Sequence, residues 1–551
     1  MGIDGHVAEY PARRIVIGTG GLRCYTCAEI QYFLSSEPDC RVGEFSELLI
    51  PLPTPDLYPE PWESSLNQEI LQELTSETSG RPLCVDLDGT LVKSDTLMDS
   101  LMVLARTQPQ ALLQIPGWLL RGKAAVKQEI GARVTLDVRH LPYNRKLVEY
   151  LEAERGEGRK LYLATGADQA LAQRVADHLG IFDGVLASDG KTNLTAGNKL
   201  EGLRRTLGDE GYDYVGNAGP DLPLLQHAGT AMLANPAPSM HARLRARGVA
   251  VEREFDDRMA RPRAILKALR IHQWAKNILI FLPVLLAHSV APRLVSAALV
   301  AFMSFSLCAS ATYIINDLLD IEADRRHPKK RLRPFAAGDL SVAGGIGISA
   351  TFLACSLALA AVILPPAFLT WLVLYLVTTL SYSLYLKRVV LADVILLSGL
   401  YVLRMLAGAS ATQVPISPWL AAFSLFLFLS LAMVKRFSEL QNTRARGQTL
   451  ANGRGYLLGD IEQLRSFGTA SAYASVVVFS FYIGAHEVTA LYRHPVRLWL
   501  ITPLMILWLS RVWLLASRGE LDEDPVIFAV TDRISLLIGL AVVVIAALAA
   551  Y

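Results

Sequence analysis

Charge is scarce in this chain and nearly balanced. Asp, Glu, Lys and Arg make up 19% of its 551 residues, and the formal net charge is +2. So small a surplus supplies no basic face for a polyanion, which excludes nucleic acid as the partner. Cysteine is also scarce. The six (Cys24, Cys27, Cys40, Cys84, Cys308 and Cys355) are scattered, and two fall in long apolar runs, which excludes a disulfide framework. Cys24 and Cys27 have the spacing of half a zinc site, but only Cys40 and His6 stand near enough to complete it, and no function is assigned to them. The start of the chain lacks a basic stretch followed by an apolar core, so no secretory signal is expected and the first soluble part is expected in the cytoplasm. Long apolar runs are missing up to about residue 270, then recur to the last residue although the whole chain is 52% hydrophobic.

That asymmetry divides the chain. Residues 1–80 carry Pro51, Pro53, Pro55, Pro59 and Pro61, which argue for an extended or irregular segment. Residues 81–255 alternate short apolar runs with helical stretches. Residues 256–551 contain about nine stretches long enough to cross a bilayer, near 278–290, 294–319, 340–364, 367–386, 389–411, 419–434, 467–485, 498–515 and 534–551.

In the middle region, Leu83-Cys84-Val85 reads as a buried strand running into Asp86-Leu87-Asp88-Gly89-Thr90. Strand-like runs follow at 160–165, 184–187, 212–215 and 230–233, with helices between them. This alternation predicts a parallel sheet covered on both faces, with its chemistry at the carboxyl ends of the strands. Polar residues gather at those ends: Asp86 and Asp88, then Thr165 and Gly166, then Asn217 and Asp221, with Lys199 ahead of the last pair.

The D-x-D-G-T run and the order of these residues resemble the haloacid dehalogenase (HAD) superfamily. The resemblance implies a Rossmannoid domain with a small helical cap at about 96–150. Asp86 would be the nucleophile and Asp88 the general acid and base, with Thr165 and Lys199 holding phosphoryl oxygens. Mg2+ would sit on Asp86, the Asp88 carbonyl and Asp221. Asn217 stands where the superfamily usually has Asp.

In the last region, the polar residues cluster where apolar runs end. Asn316, Asp317, Asp320 and Asp324 close the second run and share one face if the helix continues. Stacked carboxylates repel without a cation, and hard oxygens at this spacing suit Mg2+, which can grip a diphosphate. A basic tract follows, including Lys330 and Arg333. Lys276 and Asn277 precede the first run. Tyr382 and Lys387 end the fourth, Asp393 opens the fifth, Lys435 and Arg436 end the sixth, and Asp522, Asp524 and Asp532 surround the last loop. Arg404, well inside the fifth run, is assigned no catalytic role. Loops 325–333, 387–388 and 435–465 are basic, whereas 365–366 and 411–418 carry no Lys or Arg. Loop charge therefore puts all these motifs on the cytoplasmic face of the cell membrane and the C-terminus opposite.

The N-D-x-x-D-x-x-x-D motif resembles the UbiA superfamily of intramembrane prenyltransferases, from about residue 263 to the end. Q-W-x-K-N at 273–277, Arg333-Pro334 and the run 382–393 are similar to its phosphoribosyltransferase branch. The resemblance implies transfer of phosphoribose from 5-phosphoribosyl diphosphate (PRPP) to a polyprenyl phosphate. Mg2+ would bind Asn316, Asp317, Asp320 and Asp324. Lys276, Asn277, Lys330, Arg333, Tyr382, Lys387, Asp393, Lys435 and Arg436 would contact substrate. The HAD-like domain would remove the 5-phosphate. A prenyltransferase moving a prenyl group from a polyprenyl diphosphate to an aromatic or other acceptor uses the same acidic motif. A membrane scaffold without catalysis is the third reading, and substitution of Asp320 or Asp86 discriminates it.

Overall fold

The computed structural model describes residues 13–18, 21–26, 80–189, 193–208, 211–288, 291–445, 447, 455–521 and 525–550. It divides into two compact units, Met1–Thr78 and Ser79–Tyr551. The first contains one antiparallel hairpin, β1 (Arg13–Gly18) with β2 (Gly21–Thr26). Cys24 falls on β2, while Cys27, Cys40 and the prolines at 51–61 lie outside the described residues.

The second unit opens with a six-stranded parallel sheet. Its strands are β3 (Leu83–Val85), β4 (Leu161–Asp168), β5 (Gly184–Ser188), β6 (Asp213–Gly216), β7 (Ala231–Ala234) and β8 (Val251–Phe255), in the order β5-β4-β3-β6-β7-β8. Every residue of β3, β6 and β7 is buried, as expected of central strands covered on both faces. β8 has only Phe255 buried, so its mostly polar run gave no strand signal in the sequence. The strand order reverses between β3 and β6, and a crevice forms there at the carboxyl ends. Two helices matter for that crevice. In α1 (Thr96–Thr107) the Asp95 carboxylate caps the N-terminus by accepting from the amides of Leu97 and Met98. α2 (Lys123–Arg133) overhangs the crevice as part of the helical cap.

After α3 (Arg261–Leu269) the chain becomes a helical bundle. Eight helices are long and apolar enough to cross a membrane: α4 (Pro292–Leu319), α5 (Val342–Ile363), α6 (Pro366–Leu384), α7 (Ala392–Thr412), α8 (Pro418–Ala445), α9 (Leu458–Gly484), α10 (Pro495–Ser517) and α11 (Arg533–Ala550). The outer ones, α5, α6 and α11, expose Val362, Val377, Leu540 and Val543, an apolar surface suited to lipid.

The first expected span differs from the expectation. It is an 11-residue 3₁₀ helix, Ile271–Phe281, followed by a short α-helix, Leu282–Leu286. Together these are about 30 Å long, the thickness of a hydrocarbon core. His288, just beyond them, packs on Tyr492 in the loop between α9 and α10, at the end of the bundle away from Asp320. Among the described residues, this segment is not one of the eight helices long and apolar enough to cross a membrane. The winding has a use. With three residues per turn, Trp274 and Asn277 fall on one face and bond Ser310 and Ser306 of α4 at 2.9 Å each. Ile280 follows on the same face and lies against Gly408 of α7, where any Cβ would collide with its carbonyl. Arg270, Gln273 and Lys276 share the next face and line a cavity.

Two further differences concern helix ends. α8 continues past residue 434 to Ala445, because its last turns face a polar cavity and need not leave the bundle. The acidic run is not one helix: α4 stops at Leu319, and a short helix, Ile321–Arg326, begins after Asp320.

Candidate active sites

The first site lies at the crevice. Lys199 stands on a helix over Gly197–Leu207 and is buried. Its ammonium donates to Asp86 Oδ1 at 2.8 Å, to the Tyr214 hydroxyl at 3.0 Å and to Asp221 Oδ1 at 3.3 Å. A buried lysine needs such partners to keep its charge, and the two carboxylates hold its pKa above the ordinary value despite burial. Asp221 has no free lone-pair direction. It accepts Tyr214 and Lys199 on one oxygen and the amides of Asn217 and Ala218 on the other. This geometry gives Asp221 the work of positioning Lys199, whereas the sequence suggested a metal ligand. Asn217 lies against Gly89 so closely that a Cβ there would strike its side-chain amide; Gly89 also has φ +77.

Asp86 is buried, and its second oxygen accepts the Thr90 hydroxyl at 3.4 Å. Asp88 is partly exposed and accepts the Thr96 amide at 2.8 Å. Burial pushes the Asp86 carboxyl up to about 6, against the pull of Lys199. Burial, followed by the neighbouring Asp95, pushes Asp88 up to about 7. The Thr165 hydroxyl accepts the Ala167 amide at 3.0 Å, which leaves its proton to donate elsewhere. Asp86, Asp88, Thr165 and Lys199 therefore meet at one crevice. Tyr214, which no motif flagged, belongs with them.

The second site is a cavity of ≈ 560 Å³ in the membrane bundle. Eight cationic side chains line it: Arg270 and Lys276 from the 3₁₀ segment and its start, Lys330 and Arg333 after the acidic run, Lys387, Arg404 of α7, and Lys435 and Arg436 of α8. Among the described residues, Asp320 and Glu439 line it with negative charge, beside Asn316, Tyr382 and Tyr401. Of the four oxygen-bearing motif residues, Asn316 and Asp320 face this space. Asp317 and Asp324 are buried behind it. Asp317 accepts Arg270 at 2.5 Å and Arg333 at 3.1 Å, and Asp324 accepts the same Arg333 nitrogen at 2.5 Å. Burial holds the Asp324 carboxyl above its ordinary pKa, partly offset by Arg333. Asp320 meets Lys387 at 2.9 Å. Burial lowers the Lys387 pKa and Asp320 draws it back up.

Two residues expected to touch substrate are instead buried supports. Asn277 accepts Arg404 Nε at 2.8 Å and donates to Ser306, so it aims Arg404 at the cavity. Asp393 accepts Arg436 Nε at 2.6 Å and the Tyr456 hydroxyl at 2.5 Å. Arg404, noted in the sequence but assigned no catalytic role, and Arg270, not singled out there, both line the cavity. An arginine inside an apolar span is itself the signal for the first; the second sits in a basic stretch with no distinguishing pattern. Asp522 and Asp524 lie outside the described residues, and Asp532 pairs with Arg511 at 2.6 Å.

Among the described residues, no three of Asp, Glu, His and Cys are gathered as a metal site. Cations engage most of these carboxylates. The donors are nevertheless hard oxygens of the kind Mg2+ takes: Asn316 and Asp320 at the cavity, Asp86 and Asp88 with Asn217 at the crevice.

A cation-rich cavity closed by an N-D-x-x-D turn thus lies inside a bundle of apolar helices. The chain belongs to the UbiA prenyltransferase family, which it matches over residues 278–549. It is 39% identical over 467 residues to the uncharacterized protein y4nM of Sinorhizobium fredii, covering 83% of this chain and 89% of that one. That alignment is longer than the membrane domain, so the likeness reaches into the α/β domain. Nodulation protein NoeC of Azorhizobium caulinodans is 33% identical over 280 residues, 50% of this chain and 90% of its own. Decaprenyl-phosphate phosphoribosyltransferase of Mycobacterium tuberculosis is 35% identical over 191 residues, 34% of this chain and 63% of its own.

Proposed function

We propose that the membrane domain transfers 5-phosphoribose from PRPP to a polyprenyl phosphate, and that the HAD-like domain then removes the 5-phosphate of the lipid-linked product. One observation carries the first half: among the described residues, eight cations line the cavity against two carboxylates, with Asp317, Asp324 and Asp393 behind the wall holding Arg270, Arg333 and Arg436. A prenyl diphosphate brings one diphosphate to neutralise. PRPP brings a diphosphate and a 5-phosphate, and its lipid acceptor brings another phosphate. The larger cation set suits the larger anionic load. The name of the mycobacterial relative supports the same reading.

In this reaction an oxygen of the lipid phosphate attacks the anomeric carbon of PRPP. The bond from that carbon to the diphosphate oxygen breaks, and diphosphate leaves with the electron pair. Arg270, Lys276, Lys330, Arg333 and Lys387 neutralise it as it departs. Asp317 and Asp324 act through Arg270 and Arg333, which they fix at the wall. Asn316 and Asp320 would hold Mg2+, which would supply further positive charge for the leaving diphosphate. Arg404, Arg436 and Lys435 take the remaining phosphates. The polyprenyl chain leaves through the lipid-facing side.

At the crevice, the Asp86 oxygen not bonded to Lys199 attacks phosphorus. The bond to the sugar oxygen breaks, and Asp88 gives that oxygen its proton. Water then attacks the aspartyl-phosphate while Asp88 takes back a proton, which releases phosphate. Lys199 and Thr165 steady the phosphoryl oxygens, and Asp221 holds Lys199. Asp86, the Asp88 carbonyl and Asn217 would hold Mg2+, which would supply charge for the phosphoryl oxygens. Loop basicity supports a cytoplasmic position for both sites in the cell membrane.

Purified full-length chain in lipid nanodiscs, given radiolabelled PRPP and polyprenyl phosphate, is expected to yield a labelled lipid. A preparation that turns over only a prenyl diphosphate with an aromatic acceptor overturns the reading.

A further inference from the structure

Two spaces open from Asp88. The one under the cap, beside Lys127 and Ile130 of α2, has a volume of ≈ 50 Å³ and admits little more than water. The other has ≈ 660 Å³ and lies between the crevice and the membrane bundle. Its near wall is Asp88, Gly89 and Asn217. Its middle is polar and of mixed charge: Lys93, Arg258 and Arg261 with Asp95, Asp256 and Asp339, and Lys93 lies 3.6 Å from Asp257 and 3.7 Å from Asp339. Its far wall is apolar: Ile265 of α3, Leu340, and Ile348 on the first turns of membrane helix α5.

The space is fixed in place by a polar seam between the two domains. Arg325, after the acidic motif, forms a buried ion pair with Asp99 of α1 at 2.8 Å and donates to the Ser94 hydroxyl at 3.0 Å. The Met259 amide donates to Asp339 at 3.2 Å. Gly338, with φ +73, lets the backbone before α5 approach Lys93 where a side chain would clash.

We propose that this cavity is the binding site of the HAD-like domain's substrate, and that the substrate is an amphiphile: a phosphomonoester on a sugar joined to a lipid. Its phosphate sits at Asp86 and Asp88, its polar middle lies among Arg258, Arg261 and Lys93, and the first part of its lipid lies over α5. The inference rests on the phosphatase reading of the crevice and adds the substrate class and its route. A soluble sugar phosphate needs polar walls throughout. A site graded from the catalytic carboxylates through a polar, mixed-charge middle to the flank of a membrane helix matches a molecule with a phosphate, a sugar and a lipid in the same order. The narrow cap side and the wide membrane side give the same direction of entry.

The test uses full-length chain in nanodiscs. Phosphate release is measured from a polyprenyl-linked ribose 5-phosphate and from soluble p-nitrophenyl phosphate, for the native chain, Ile348→Trp and Arg261→Glu. Arg261 is exposed, whereas Ile348 is half-buried against the cluster that holds Leu318 and Phe335, so the second variant guards against a packing effect of the first. Each substitution is expected to lower turnover of the lipid by about tenfold while soluble turnover stays within about twofold. PRPP-dependent lipid labelling, read in the same samples, should stay at the native level and reports that the variants fold. Equal loss on both substrates, or no loss on the lipid, overturns the cavity assignment while leaving the phosphatase reading intact. Release from neither substrate by the native chain overturns the phosphatase reading and this inference with it.

Discussion

Arg106 of the cap helix α1 places its guanidinium 2.5 Å from the carboxylate of Asp320, the cavity-facing acid of the membrane transferase motif. The same nitrogen donates to the Leu319 carbonyl at 3.4 Å, at the point where α4 ends. A residue of the soluble domain therefore sets the charge of the membrane site, and Asp320 is shared between Arg106 and Lys387.

Arg106→Ala should raise KM for the diphosphate donor about fivefold, the worth of a partly buried pair of about 1 kcal/mol, and leave phosphate release at the crevice unchanged. Steady-state kinetics of both half-reactions on one preparation check this. An unchanged donor KM would show that the contact is only structural.

Asp317 and Asp320 should separate on substitution. Asp320→Asn is expected to abolish lipid labelling with little change in melting temperature. Asp317→Asn strips Arg270 and Arg333 of a buried partner and should cost about 3 kcal/mol of stability as well as activity. Thermal unfolding in detergent, run beside the labelling assay, distinguishes them.

Asp86→Asn should stop phosphate release while transfer continues, so the lipid product accumulates with its 5-phosphate. Mass spectrometry of the extracted lipid reads this directly, and a product without the phosphate would remove Asp86 from the chemistry.

The pH dependence of the first hydrolytic step follows from Asp88. Its raised pKa keeps the acid protonated up to about 7, so proton donation is available below that pH and lost as pH rises through it. Single-turnover formation of the aspartyl-phosphate should fall on the alkaline side of neutrality. In Asp88→Asn the residual rate should show no such limb.

Chelation should silence both sites, and Mg2+ should restore both. The titrations need not coincide, because one donor set is Asn316 with Asp320 and the other is Asp86, Asp88 and Asn217. Full activity of either half-reaction after exhaustive dialysis against EDTA would exclude a metal there.

Much of this protein was legible in its residues taken in order. The D-x-D-G-T run follows a buried strand, N-D-x-x-D ends an apolar helix, and the alternation of basic and uncharged loops orders the helices. Strands and spans are local in origin: period, length and flanking charge decide them. Asp86, Asp88 and Lys199 could be grouped because strand ends in a parallel sheet converge.

What the tertiary structure decided is which partner each charge takes. The sequence shows Asp317, Asp320 and Asp324 as equivalent acids on one helix. The chain break at Asp320 turns one toward the cavity and leaves two behind arginines. It likewise gave Asp221 to Lys199, Asn277 to Arg404 and Asp393 to Arg436. It wound residues 271–281 as a 3₁₀ helix so that Trp274 and Asn277 reach α4 while Lys276 reaches substrate space. It also brought Arg106 to Asp320 across two domains. An ion pair forms with whatever packing delivers within 3 or 4 Å in a poorly solvated place, and no local pattern carries that distance.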